Sequence, residues 1–446
     1  MRYGRWKGVA GALALLLAAG CDFGSGGKAA DEGKGDGTDL ADSASLAKLL
    51  SEPVELDVYI HSGSYTLEQF MVFYGNAIKK KYPNISFKLH VPTKGSSLSE
   101  LLAQGVNIDL IQSHRANTFE LMYDLKLQTD ISDLIKTYKY DLNTIEPVVL
   151  EEMRQLGGGG IMGLPYESRT TALFYNKELF DKYGVPYPKA NMTWDDMLET
   201  AKKLSRVDGG TVYQGFLVYP RHVFLMNQLS QGYVDPVGNK TLLNNNNWKS
   251  IFQTLQQFYQ LANNPYITPN NVSNTFWIEG RAAMYASMFV PDAKYILDTK
   301  INWDVAPYPE LKEQKGVGSG MLNYYFNLTS VSQNREQAFL AASFLASEEY
   351  QRAQAEQGYN PSLKGSGYKE LLGKGVPQYA SRNLKAMVSA PPAASYPVNK
   401  YQGIADKALD SAFDQLFAEG KDINTSLREA EESANKKIQQ AMTGGN

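Results

Sequence analysis

The sequence predicts an α/β protein of two lobes, on three observations. Its 446 residues are more than a single hydrophobic core ordinarily serves. From residue 54 strand-like segments alternate with helix-like ones, the pattern of a parallel sheet with helical crossovers. Residues 404–442 then carry apolar and charged positions at helical spacing, as a helical layer closing the fold.

The chain begins with a leader rather than with the fold. Arg2, Arg5 and Lys7 precede an apolar run over 9–19, followed by Gly20 and Cys21, the form of a secretory signal peptide and too short to span a bilayer permanently. Ala18, Ala19 and Gly20 before Cys21 resemble a bacterial lipobox, although its preferred Leu stands one position early, as Leu17. A secreted chain whose single cysteine is Cys21 has no disulfide partner for it, so lipidation is the expected use. The expectation is therefore a signal peptide over 1–20, a lipid anchor at Cys21 on the extracellular face of the cell membrane, and a flexible tether over 21–53. Residues 22–45 of that tether are mostly Gly, Ser, Ala, Asp and Lys without hydrophobic period.

Without the three leader cations, 41 of the 44 basic residues stand against 47 acidic ones, so the mature chain carries about −6 and offers no basic footprint for nucleic acid. The 28 Tyr and 18 Phe suit a protein presenting amphipathic rings to a polar, ring-shaped ligand, though large cores also consume aromatics.

Val54-Glu-Leu-Asp-Val-Tyr-Ile60 alternates as a strand and breaks at Ser62-Gly63-Ser64. A helix over 67–81, a strand over 85–91, a helix over 98–104 and a strand over 108–112 follow. The Gly157–Gly160 run ends a helix and opens Ile161-Met162-Gly163-Leu164-Pro165. It is no phosphate loop, because neither Lys-Ser nor Lys-Thr follows and it does not lead from strand to helix. Residues 171–175 read as a further strand. Thr193 caps a helix, with Asp196 three residues on as its reciprocal partner.

Several segments, in order, resemble family 1 extracellular solute-binding proteins of ABC importers, the group of maltose- and oligosaccharide-binding proteins, from residue 54 to the end. They are Gly163-Leu164-Pro165-Tyr166, Leu173-Phe174-Tyr175-Asn176-Lys177-Glu178-Leu179-Phe180, Gly184-Val185-Pro186, and Thr193-Trp194-Asp195-Asp196. Glu279-Gly280-Arg281-Ala282-Ala283-Met284, Trp303-Asp304-Val305-Ala306-Pro307-Tyr308-Pro309, Asn327-Leu328-Thr329-Ser330 and Glu348-Glu349-Tyr350-Gln351 continue the series. The resemblance implies a type II, periplasmic-binding-protein-like clamp with discontinuous lobes, 54–169 plus 322–376 and 170–321 plus 377–446. The hinge would lie near Arg169 and Met321. It further implies a monomeric, non-enzymatic receptor without cofactor, delivering an oligosaccharide to membrane permease subunits.

In such a clamp the loops after Ile60 and Gln112 face the cleft, which nominates His61, Ser62, Ser64, Ser113, His114 and Arg115 as ligand contacts. Hydroxyl, imidazole and guanidinium groups can each fix a sugar hydroxyl. A strand-end role for His61 and a solvated loop charge for Arg115 are the plain alternatives. Tyr166 and Arg169 lie by the expected hinge. Tyr219 and Arg221, in the Tyr219-Pro220-Arg221-His222 loop, are second-lobe candidates, and Arg115, Arg221 and His222 together suit a uronate-containing ligand. The resemblance makes Phe289 a stacking residue, with Tyr324 and Tyr401 as further cleft candidates. Trp194 and Trp303 are expected in packing, Trp248 in packing or at the surface, and Trp277 in the core or at the cleft rim.

Other readings remain. Tyr324-Tyr325 is similar to the adjacent tyrosines by which related clamps bind ferric iron, but the histidines at 61, 90, 114 and 222 show no metal spacing. A peptide-binding clamp, a secreted carbohydrate-active enzyme and a structural surface lipoprotein complete the alternatives. No nucleophile elbow or HExxH helix supports an enzyme.

Overall fold

The computed structural model describes residues 43–61 and 65–443. Its strands are β1 (Val54–Ile60), β2 (Ile85–His90), β3 (Leu110–His114), β4 (Gly163–Asn176), β5 (Arg206–Asp208), β6 (Thr211–Tyr213), β7 (Leu217–Val218), β8 (Met284–Met288), β9 (Trp303–Ala306) and β10 (Met321–Leu328). The sheet order is β2-β1-β3-β10-β4-β8-β7, with β9 also on β4, while β5 and β6 form a separate hairpin.

On β1 the alternation puts Leu56, Val58 and Ile60 into the core. Helical crossovers bring β2 and β3 to either side of β1 in parallel. Beyond β3 the sheet departs from the all-parallel expectation, because β10 and β4 run antiparallel to their neighbours. β10 also explains why β3 covers Leu110–His114 rather than 108–112: it pairs Tyr324 with His114 and Tyr325 with Ser113. A partner more than two hundred residues away is invisible to local alternation.

Likewise the expected short strand at 171–175 is the second part of one fourteen-residue strand, Gly163–Asn176. Its first part holds Pro165, tolerated because β10 occupies one side and the other carries a single bridge, from Ser168 to Asn360. A Cβ on Gly163 would lie 2.5 Å from the Phe326 carbonyl oxygen, so the strands approach this closely only with glycine there. β4 exchanges neighbours between Thr170 and Thr171: residues up to Thr170 pair with β10, and those from Thr171 pair with β8 and, further on, β9. One strand therefore belongs to both halves of the sheet.

The helix expected over 67–81 contains a π turn at Met71–Gly75 between Leu67–Phe70 and Asn76–Lys81. Thr193 and Asp196 cap each other's backbone N–H at 2.8 and 3.2 Å, opening the helix Trp194–Leu204. Trp248, Trp277 and Trp303 are fully buried and Trp194 nearly so, which assigns Trp277 to the core. The C-terminal layer is two packed helices, Gln402–Ala418 and Ile423–Thr443, divided at Gly420 with φ +66°. The end of the expected tether is instead a helix, Ser43–Ser51, held by Asn84 Nδ2 donating to the Leu49 and Glu52 carbonyls at 3.0 and 2.9 Å. The signal peptide, Cys21 and the tether up to residue 42 lie outside the described residues, as do Ser62 and Ser64.

Candidate ligand-binding site

β1 and β3 are parallel neighbours, so their carboxyl ends bring His61 and His114 to one edge of the sheet. A cavity of about 300 Å³ opens there, lined by both histidines, Gln112, Asn117, Arg169 and Tyr324, by Tyr65, Phe73, Tyr74 and Tyr359, and by Val290 and Asp292 beyond β8. The π turn supplies Phe73 and Tyr74. Tyr166 lies underneath as support: it accepts from Gln112 Nε2 at 2.5 Å, and the Tyr74 hydroxyl donates to it at 3.5 Å.

Burial, then the nearby charges of Arg221 and Arg169, pushes His114 down to about 4, so its ring is neutral at physiological pH. Nδ1 accepts from the Ala116 N–H at 3.2 Å, which leaves Nε2 as an N–H donor toward the cavity. Tyr324 meets the His114 ring edge-on, with centroids 5.4 Å apart, and the Arg169 guanidinium sits 4.6 Å from the Tyr324 ring centroid. Arg169 also pairs with Glu167; burial opposes its charge, but Glu167 together with the neighbouring Tyr324 and Tyr166 outweighs the cost and holds its pKa up. The cavity thus combines ring faces with neutral donors and acceptors, the Glu167-paired Arg169 and the Asp292 carboxylate, a set that can stack a sugar ring and pair its hydroxyls.

Ser113 also lines the cavity, but its hydroxyl is taken up by Thr118 and Asn327 at 2.8 and 2.7 Å, since β3 continues through it instead of ending before it. The other nominated residues lie elsewhere. Arg115 is 3 % exposed and faces away from the cavity. Its Nη2 is 3.1 Å from Glu152 Oε2 and donates to Ser395 Oγ and the Tyr396 carbonyl, with the guanidinium stacked on the Tyr396 ring. Arg221 pairs with Asp406 at 2.5 Å and Asp410 at 3.4 Å on the helix Gln402–Ala418. Tyr219 stacks on His222, with centroids 4.3 Å apart. Burial and the Arg221 charge push His222 down to about 3, so it too is neutral, and its Nδ1 accepts from the Met288 N–H at 3.1 Å. Phe289 is core rather than a stacking face: 4 % exposed, it packs on Phe174, Trp303 and Tyr379. Tyr401 is buried at the start of the C-terminal helix pair.

Tyr324 and Tyr325 do not form a phenolate pair. The first lines the cavity, while the second donates to Glu152 Oε1 at 2.8 Å on the other face of the strand. Among the described residues no cluster of three or more His, Cys, Asp or Glu could hold a metal, and no helix is long and apolar enough to cross a membrane. A second cavity of about 300 Å³ lies behind the same strands, lined by Thr170, Met321, Met387 and Pro391, but no nominated residue reaches it. Of the residues that reasoning on the sequence missed, Gln112 was within reach, since it shares the His114 face by the period of two. Tyr65, Tyr359 and Asp292 carried no local signal.

The family of bacterial extracellular solute-binding proteins matches residues 63–352. The chain belongs to that family. The arabinooligosaccharide-binding protein of Bacillus subtilis is 26% identical over 328 residues, covering 68% of this chain and 71% of the relative. The galactooligosaccharide-binding protein of the same organism is 25% identical over 301 residues, or 64% and 68% of the two chains. The ABC substrate-binding protein of Listeria monocytogenes in complex with cycloalternan superposes with a TM-score of 0.67 at 18% identity, covering 87% of this chain and 100% of that one. The fold of this solute-binding protein is therefore the two-lobed type II clamp, and its family places it outside the cell.

Proposed function

We propose that this solute-binding protein captures a neutral oligosaccharide outside the cell and hands it to the permease subunits of an ABC importer. The observation that carries the reading is the cavity in which His61, Gln112, His114 and Tyr324 converge with the rings of Tyr65, Phe73 and Tyr359. The two Bacillus subtilis relatives, named for arabino- and galactooligosaccharides, support the same ligand class. A neutral sugar is favoured over a uronate because Arg115 and Arg221 do not line the cavity and are paired with carboxylates, Arg169, which does line it, is paired with Glu167, and His222 is uncharged. The protein acts as a monomer without cofactor or catalytic step, anchored through Cys21 once residues 1–20 are removed. The lobes are 54–169 plus 322–376 and 170–321 plus 377–446, hinged where β4 exchanges neighbours. Closure draws its free energy from contacts a ligand makes only when both walls touch it.

Calorimetry and thermal melting of the protein from residue 22 onward, against arabino-, galacto- and maltooligosaccharides, oligogalacturonides, peptides and ferric citrate, test this. A tight neutral sugar at a hundred times its Kd should stabilise by about 2.7 kcal/mol. Response to none of the neutral sugars refutes the reading. Cys21→Ala in the full chain should move the protein from the membrane fraction to the medium.

A further inference from the structure

Among the described residues lining the cavity, the half of the sheet that contains β8 contributes Val290 and Asp292; the remaining side chains come from the other half or from β4 itself. Val290 is apolar, so Asp292 is the hydrogen-bonding side chain of that wall. It is exposed, and it makes no hydrogen bond or ion pair among the described residues. The cation that lines the cavity with it, Arg169, is already committed to Glu167.

The segment bearing Asp292 is held firmly. Phe289 packs beneath it against Trp303 and Tyr379, and the Tyr379 hydroxyl donates to the Pro291 carbonyl at 2.6 Å. Just before it, the Met288 N–H is fixed by His222. Across the cavity its charge reaches Tyr65, Tyr324 and Tyr359, whose hydroxyls are pushed up first by burial and then in part by Asp292. A carboxylate so placed is an acceptor with two adjacent oxygens, able to receive two neighbouring hydroxyls and unable to receive another carboxylate.

We propose that Asp292 is the specificity residue of the second wall: it accepts hydrogen bonds from adjacent hydroxyls of a neutral sugar, couples that contact to closure, and excludes uronates. The proposal rests on the reading of the site as a sugar receptor. It goes further in naming the residue that selects the ligand and the charge class it rejects.

The test is Asp292→Asn in the otherwise unchanged protein, with calorimetry against neutral oligosaccharides and oligogalacturonides and small-angle scattering with and without sugar. Among the described residues the side chain has no partner, so the melting temperature without ligand should be unchanged. Affinity for the neutral sugar should fall about 10- to 100-fold, the effect of losing a charge-assisted hydrogen bond. The compaction seen on sugar binding should weaken, and affinity for oligogalacturonides should rise. Neutral-sugar affinity within twofold of the natural protein, or a natural protein that binds oligogalacturonides as tightly as neutral sugars, overturns the assignment to Asp292 and leaves the receptor reading standing. A natural protein that binds no carbohydrate overturns both.

Discussion

The two walls of the cavity are built on different principles. One takes its side chains from the ends of β1 and β3, from β10 and from the π turn at Met71–Gly75, so several independent elements each supply a contact. The other is a single short segment after β8, carried on the aromatic group of Phe174, Phe289, Trp303 and Tyr379. On the proposed site, binding through the first wall would be distributed, and loss of one contact would leave the rest in place. The second wall would concentrate its contribution in one residue and depend on core packing to present it.

The largest expected effect tests that dependence. Phe289→Ala should destabilise the protein by about 3–5 kcal/mol, since it opens a cavity inside an aromatic cluster; urea denaturation measures it. Lost sugar binding with stability unchanged would instead make Phe289 a contact residue and break the comparison. Arg115→Ala leaves Glu152 buried without its cation and should cost about 3–5 kcal/mol, with sugar affinity of the folded protein kept within a few fold by calorimetry.

Tyr324→Ala addresses the first wall. It removes a ring from the cavity and from beneath Arg169, and should weaken oligosaccharide binding by about 1–2 kcal/mol while other contacts persist. Abolished binding would mean that this wall is not distributed after all.

The smallest effect concerns the support of the second wall by pH. Burial pushes Asp406 up to about 6, and burial together with Asp406 pushes Asp410 up to about 7, against the pull of Arg221. A carboxyl raised in this way takes up a proton on folding, so its contribution to stability grows as pH falls from 8 through 7 and is lost as pH rises. His114 and His222 act oppositely: being depressed, they cost stability as pH drops below 6.5. Between pH 8 and 6.5 the gain should therefore appear in denaturation curves of the natural protein and be reduced in Asp410→Asn. Equal slopes in the two proteins would mean that Asp410 stays ionised beside Arg221.

Alternation over 54–60 and the reciprocal cap at Thr193 and Asp196 act between near neighbours, so those elements were legible in the sequence. The strand ends were not, because β3 and β4 are extended by β10, far along the chain. The same holds for the site. His61, His114, Arg169 and Tyr324 follow from strand ends and the hinge, and all line the cavity. Arg115 and Arg221 look like free ligand-binding cations in one dimension, and only the fold brings Glu152, Asp406 and Asp410 to them. The resemblance implied a stacking role for Phe289, but nothing local reveals that Trp303 and Tyr379 already occupy its faces.

The continuity of β4 bears on how the molecule comes apart. Since Gly163–Asn176 lends its edges to β10 on one stretch and to β8 and β9 on the next, neither half of the sheet can melt without stripping hydrogen bonds from a strand the other needs. Unfolding should thus follow one cooperative transition despite the two-lobed form, with the calorimetric and van't Hoff enthalpies equal. A clamp that must bend at every turn of its transport cycle would be protected from fraying at its joint by the strand on which it bends.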